Sequence, residues 1–352
     1  MKYLVFGIAF SFLVTGSTFS QTSKSAIANS MKQEKVSDGY TFHLSDKVIR
    51  KKVTFKNRYG ITLTGDLYIP KDSSKNSLPA LAISGPFGAV KEQSSGLYAN
   101  QMAEKGFVSI AFDPSYTGES GGEPRNIASP EINTEDFSAA VDFLGLQKNI
   151  DRNRIGVIGI CGFAGFALNA TAVDKRIKAV ATTSMYDMCR VTSKGYNDVI
   201  TLEQRTKTLE QLSSQRWQDA EKGNPAPSTI NLPEKLNGNE PQFVKDYFDY
   251  YKTPRGFHKR SINSNGAWTM TSSLSLLNMP ILTYVKEISP RPLLLIAGEN
   301  AHSRYFSEDT YKAAAEPKEL VIIPGASHVD LYDKTDIIPF EKLVDFFTKN
   351  LK

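Results

Sequence analysis

Short apolar runs alternate with amphipathic stretches from about residue 49 onward, and this alternation most narrows what the chain can become. Residues 78–83, 107–112, 154–160, 177–183, 292–297 and 319–323 read as buried strands. Residues 96–105, 134–146, 162–173, 307–315 and 338–351 read as helices. Gly106 is expected to stop the first helix and Thr134 to cap the second. Strands spaced by helices imply a mostly parallel sheet covered on both faces. Two earlier strands, 52–56 and 62–69, meet at Asn57-Arg-Tyr-Gly60 as an antiparallel hairpin. The expectation is an α/β domain with an eight-stranded, mostly parallel sheet over residues 46–352.

The alternation stops between the sixth and seventh strands, at about 186–288, where the sequence turns helical and aromatic (202–218, then 241–251). An insertion this long is read as a lid over the carboxyl edge of the sheet, where open α/β sheets bind ligands. Tyr247, Phe248, Tyr250, Tyr251, Phe257 and Trp268 could line a pocket there or pack the lid onto the body.

The amino-terminal segment follows different rules. Lys2, an apolar run at 3–14 and the small polar stretch Thr15-Gly-Ser-Thr-Phe-Ser-Gln21 form a signal peptide over residues 1–20, with a cut expected after Ser20. The run is short for a bilayer span. Residues 21–45 are polar and read as a flexible lead-in. The chain is expected to be exported, periplasmic or secreted, and off the membrane after cleavage. Its net charge of +5 is spread without a basic stripe, which argues against a nucleic-acid partner.

The chemistry concentrates at three corners. In Arg154-Ile-Gly-Val-Ile-Gly-Ile-Cys161-Gly-Phe-Ala-Gly165 a strand runs directly into a helix with Cys161 at the bend. Such an elbow lifts a nucleophile out of a tight turn and needs small neighbours, supplied by Gly159, Ala164 and Gly165. The helix amino terminus should lower the thiol pKa toward thiolate. Gly162 supplies one oxyanion N–H and Phe87, in Gly85-Pro-Phe87-Gly88, the second, since Pro86 has none. Phe163 departs from the usual small residue two after the nucleophile.

His328 lies just after the last strand, in Pro324-Gly-Ala-Ser-His328-Val-Asp330-Leu-Tyr-Asp333, where it can act as general base. Glu299, in Ala297-Gly-Glu299-Asn-Ala-His302, is the assigned acid, with Asp330 and Asp333 as alternatives. His302 shares that loop; His43 and His258 are read as structural. Gly118-Glu-Ser120-Gly-Gly122 also fits a nucleophile motif, but it sits in a loop and is set aside as a turn. The two cysteines, Cys161 and Cys189, could bridge in an oxidising compartment; Cys189 is preferred as a pocket or hinge residue.

With these segments assembled, the chain resembles the α/β-hydrolase superfamily, in the branch of dienelactone-hydrolase-like bacterial proteins and fungal polyketide transferases. The resemblance spans about residues 50–350. It rests on Gly85-Pro-Phe-Gly-Ala-Val-Lys-Glu-Gln93, Phe112-Asp-Pro-Ser-Tyr-Thr-Gly-Glu-Ser-Gly-Gly-Glu-Pro-Arg125 and Gly159-Ile-Cys-Gly-Phe-Ala-Gly165. Ser184-Met-Tyr-Asp-Met188, Gly298-Glu-Asn-Ala-His-Ser303 and His328-Val-Asp-Leu-Tyr332 complete it. It implies the α/β-hydrolase fold and acyl chemistry, and dienelactone hydrolases share the cysteine nucleophile. The expected activity is cysteine-dependent hydrolysis of an ester, lactone or thioester, with a small acyl compound as substrate and no metal or organic cofactor. Acyl transfer, peptide hydrolysis and ligand binding without turnover are the rival readings.

Overall fold

A computed structural model describes residues 39–72, 77–229 and 232–352. The expected signal peptide, and the lead-in up to residue 38, lie outside the described residues.

Eight strands form one sheet in the order β1-β2-β4-β3-β5-β6-β7-β8. They are β1 (Val48–Lys56), β2 (Thr62–Pro70), β3 (Leu78–Ser84), β4 (Val108–Phe112), β5 (Ile150–Ile160), β6 (Ala179–Thr183), β7 (Leu293–Gly298) and β8 (Lys318–Ile323). β1 and β2 form the expected hairpin, closed where the Gly60 N–H donates to the Asn57 carbonyl over 2.9 Å. β2 meets β4 antiparallel, and every later pairing is parallel. This is the α/β-hydrolase order.

The strand side chains alternate between two cores, as the pleat requires. Ala80, Ala82, Ile155, Val157, Leu293 and Leu295 face one; Leu81, Ile83, Ile158, Ile160, Leu294 and Ile296 face the other. The first core is roofed by α2 (Pro130–Gly145), α3 (Gly162–Val173) and α8 (Arg304–Ala313) through Phe137, Phe166 and Phe306. The second is roofed by α1 (Ser94–Glu104) and α10 (Phe340–Asn350) through Leu97, Met102, Leu343 and Phe347.

Several boundaries differ from the sequence reading, with β1 and β5 each starting four residues earlier, at Val48 and Ile150. α2 begins at Pro130 instead of Thr134, because Ser129 takes the cap and accepts from the Ile132 N–H, and proline suits the first helical position. The lead-in also ends earlier than residue 45. The Thr41 N–H donates to the Glu92 carbonyl, Tyr40 Oη donates to Asp66 over 2.7 Å, and Phe42 is buried in the second core.

Between β6 and β7 the chain builds α4 (Met188–Lys194), α5 (Leu202–Lys222), α6 (Gln242–Lys252) and α7 (Ser273–Asn278). α5 starts with a reciprocal capping box between Thr201 and Gln204 and ends on left-handed Gly223. α6 turns Val244, Tyr250 and Tyr251 inward over the carboxyl edge of the sheet. A short helix, α9 (Asp330–Asp333), follows β8. Among the described residues no helix is long and apolar enough to cross a membrane, and none group as a metal-binding cluster.

Candidate active site

Cys161 occupies the corner between β5 and α3 with φ 55° and ψ −123°. A left-handed backbone on a non-glycine residue is strained, and here it turns the thiol out of the sheet edge. The corner closes only because its neighbours are small. A Cβ on Gly159 would lie 2.5 Å from Ala164 Cα and 2.7 Å from the Phe163 carbonyl. Phe163 turns away from the thiol into the first core, where its ring meets Phe166 at 5.2 Å and Phe87 at 6.4 Å. The aromatic two after Cys161 is therefore a packing residue beneath the corner.

The N–H groups of Phe87 and Gly162 both act on the Cys161 thiol, the arrangement an oxyanion pocket requires. Burial nonetheless pushes the thiol pKa up, and those N–H groups and the Tyr332 hydroxyl offset it only in part. The expected helix-driven thiolate is thus corrected: the sulfur is only 6% exposed, and desolvation disfavours the charged form more than the helix terminus favours it.

His328 is brought to the same place from the loop after β8, and its carbonyl accepts from Ser184 Oγ over 2.8 Å. Its ring is held at both ends. Nδ1 lies 2.6 Å from Ser303 Oγ and Nε2 lies 2.8 Å from the Tyr332 hydroxyl. Burial, and then neighbouring His302, hold His328 well below the usual histidine range, so the ring is neutral.

The acid assigned from sequence is not at this histidine. Glu299 is exposed, and its carboxylate accepts the Gly325 N–H over 2.8 Å as a loop cap. The alternatives are committed elsewhere too. Asp330 accepts the Ser327 N–H and pairs with Lys334, while Asp333 pairs with Arg255 at 2.6 Å. Among the described residues no carboxylate hydrogen-bonds either ring nitrogen of His328; Ser303 occupies the position an acid would take.

Ser120 is engaged in the backbone. Its hydroxyl donates to the Asp113 carbonyl over 2.6 Å and accepts the Thr64 N–H over 2.9 Å. Cys161 and Cys189 are both free and buried, and they belong to the cores on opposite faces of the sheet. Among the other histidines, exposed His43 lends its carbonyl to Asn100 and buried His258 accepts the Arg260 N–H at Nδ1.

Sequence reasoning named Tyr247 and Tyr251 as possible pocket residues but missed Tyr186 and Tyr332, which complete a ring of phenols around the thiol. Tyr186 follows β6, Tyr247 and Tyr251 lie one turn apart on α6, and Tyr332 lies on α9; all four hydroxyls act electrostatically with Cys161 or on one another. His302 sits among them, 2.6 Å from the Tyr186 hydroxyl, with Phe243 stacked at 4.7 Å; burial lowers its pKa to about 3. Of the insertion aromatics, Trp268 stacks on Phe87 at 4.4 Å, Tyr250 packs on Tyr332 at 5.1 Å, and Phe257 is exposed. The available signal was spacing: Tyr332 stands four after His328, one helical turn.

Also unforeseen is a buried ionic cluster behind the loop that carries Phe87. Lys91 is fully buried, with its ammonium 2.5 Å from Glu92, 2.5 Å from Glu119 and 3.5 Å from Asp113. Arg260 of the insertion joins through Glu92, and Ser261 Oγ donates to the Gly88 carbonyl over 3.1 Å. Gly88, at φ 88°, admits the insertion so closely that a Cβ would lie 2.3 Å from the Asn263 carbonyl carbon. The loop that carries Phe87 is therefore fixed from below by charge and from above by backbone contact.

Comparison with known proteins places this architecture. The model of the X-Pro dipeptidyl-peptidase (S15) family matches residues 59–330. The uncharacterized protein PA2218 of Pseudomonas aeruginosa is 69% identical over 312 residues, 88% of this chain and 83% of that protein. Its crystal structure superposes with a TM-score of 0.86 at 64% identity, covering 94% of this chain and 100% of that one. A thiohydrolase of Eupenicillium brefeldianum is 25% identical over 85% of this chain and 94% of its own length. A polyketide transferase of Gibberella fujikuroi is 23% identical over 88% and 99%. The α/β hydrolase GrgF from Penicillium sp. sh18 shares the fold, with a TM-score of 0.72 at 23% identity over 86% of this chain and 99% of that one.

Proposed function

The chain belongs to the X-Pro dipeptidyl-peptidase (S15) family and with it to the α/β-hydrolase superfamily of hydrolases and acyl transferases, and from that premise we propose that it cleaves ester, lactone or thioester bonds through an acyl intermediate on Cys161. The observation that carries this is the strained, positive-φ Cys161 at the strand-to-helix corner, with two N–H groups facing its sulfur.

The cycle begins as the thiol sulfur attacks the carbonyl carbon and its proton passes toward His328. The resulting oxyanion is held by the Phe87 and Gly162 N–H groups. The intermediate collapses, the leaving group departs with the proton from His328, and a thioester remains on Cys161. Water, deprotonated by His328, attacks that thioester; the acid leaves and the thiol is restored.

Two features narrow the bond that is cleaved. The imidazolium formed on His328 has no carboxylate to stabilise it, so leaving groups that depart with little protonation are favoured. Thiolates and phenolates meet that condition; alkoxides and amines do not. The family is normally serine-dependent and is named for X-Pro dipeptidyl-peptidase activity. Holding a peptide's free ammonium would call for a carboxylate in the chamber, whereas Asp330 and Asp333 are paired with Lys334 and Arg255. Thioesters and activated esters are therefore the favoured class, with peptides the second.

Cys161 is 6% and His328 1% exposed, so the insertion between β6 and β7 acts as a lid that must move for entry. We also propose export, on the strength of Lys2 and the apolar run that follows it. The test compares a phenyl thioester, a p-nitrophenyl ester, an ethyl ester and an X-Pro p-nitroanilide on wild type and His328→Ala. The expected order of kcat/KM is thioester and nitrophenyl ester first, ethyl ester far behind, anilide last, all lost in the variant. Faster anilide than thioester cleavage would return the peptidase reading.

A further inference from the structure

The hydroxyl of Tyr332 stands where a nucleophile and its base would ordinarily touch. It is 2.8 Å from His328 Nε2, and the same hydroxyl interacts with the Cys161 thiol beside it. The phenol is fully buried. Its ring is wedged against Tyr250 at 5.1 Å, and its backbone N–H donates to the Val329 carbonyl over 3.1 Å. Tyr98 Oη fixes the preceding residue by donating to the Leu331 carbonyl over 2.7 Å. His328 is equally constrained, with Ser303 at its other nitrogen. For the imidazole to reach the sulfur directly, two buried hydrogen bonds would have to break.

We propose that Tyr332 is a catalytic residue whose hydroxyl carries the proton between the Cys161 thiol and His328 Nε2. In this step the S–H bond breaks as a bond forms from that proton to the Tyr332 oxygen. The phenol's own proton moves to Nε2, and the sulfur's electron pair forms the bond to the substrate carbonyl. Tyrosine is neutral before and after, and the leaving group later takes its proton back along the same path.

The chemistry of the surroundings supports a concerted transfer. Burial, followed by the neighbouring Cys161, Tyr251 and Tyr247, holds the Tyr332 hydroxyl well above its ordinary range, so a free phenolate has no place in the path. Both the thiol and the imidazole are neutral at rest. A relay lets the charge separate only as the carbonyl is attacked. Tyr251 also reaches the Tyr332 hydroxyl, and Tyr186, Tyr247 and His302 complete the polar wall.

This inference rests on Cys161 being the nucleophile, so the test separates the two. Wild type, Cys161→Ala and Tyr332→Phe are assayed on a p-nitrophenyl ester in mixtures of H2O and D2O. Alkylation of Cys161 by iodoacetamide, followed by peptide mass, is measured in parallel in wild type and Tyr332→Phe. The Phe variant keeps the ring and its packing, and a melting curve verifies its fold. Tyr332→Phe should lower kcat by about 100-fold or more with KM little changed, in the range of a lost proton-transfer group. The proton inventory should bow in wild type, with two protons in flight, and become linear in the variant. Alkylation of Cys161 near neutral pH should slow in step. An unchanged or faster Tyr332→Phe enzyme with a linear wild-type inventory would overturn the relay and make Tyr332 a displaceable plug. Were no ester turned over, undiminished alkylation in Tyr332→Phe would overturn it equally. Full activity in Cys161→Ala would instead sink the nucleophile assignment itself.

Discussion

Gly159-Ile-Cys161-Gly162 and Gly118-Glu-Ser120-Gly121 have the same small-x-nucleophile-small pattern, and the fold uses them in opposite ways. At the first, a strand ends and a helix begins within one residue, so the backbone takes φ 55° and the side chain is left with N–H donors around it. At the second, the chain is in a loop beside β2, and the hydroxyl is consumed by the Asp113 carbonyl and the Thr64 N–H. A nucleophile needs an unfilled bonding position aimed at substrate. Ser120 has given both of its bonds to holding the loop.

The difference can be broken experimentally, most severely at the elbow. Cys161→Ala should cost at least about 1,000-fold in kcat/KM for a thioester, the scale on which removing a covalent nucleophile acts. Phe163→Ala should keep the thiol but lower unfolding free energy by about 3–5 kcal/mol in urea titrations, because the ring packs fully buried beneath the corner. Ser303→Asp would place the absent carboxylate against His328 and raise its pKa. At present that pKa is depressed, so the neutral base persists into acid; the acid limb of the pH–rate profile should move upward in the variant. Ser120→Ala should leave kcat within about twofold yet cost about 1–3 kcal/mol in stability, since it orphans the buried Thr64 N–H. Glu299→Gln should be the mildest: activity stays within about twofold, because Glu299 caps Gly325 and never reaches His328.

The number of strands, the opening hairpin and the elbow were legible from sequence because each follows from local pattern. Residues 155–160 are buried on both faces and therefore continuously apolar, and glycine is required at 159 because a Cβ there would lie 2.5 Å from Ala164 Cα. The acid is not legible because Glu299 is a carboxylate in the loop after β7, yet it faces solvent. Which side chain of that loop turns inward is decided by packing: Ser303 is buried and Glu299 is not. Thiol ionisation differs for a related reason, since the helix terminus is visible in sequence and the desolvation of the thiol by the folded chain is not. The approach of Tyr332 to Cys161 and the Lys91 cluster were hidden because each joins segments far apart in the chain; Arg260 and Glu92 are separated by 168 residues. Cys161 is raised by burial, so its alkylation rate should keep climbing past pH 9. A plateau near neutrality would instead signal a resting thiolate–imidazolium pair.

The central claim is the acyl intermediate, and the most direct measurement is intact mass after rapid acid quench of the protein mixed with excess phenyl thioester. One added acyl group is expected, mapped by peptide digestion to Cys161, absent from Cys161→Ala and present in Ser120→Ala. An acyl group on Ser120, or turnover by Cys161→Ala at the wild-type rate, would contradict it.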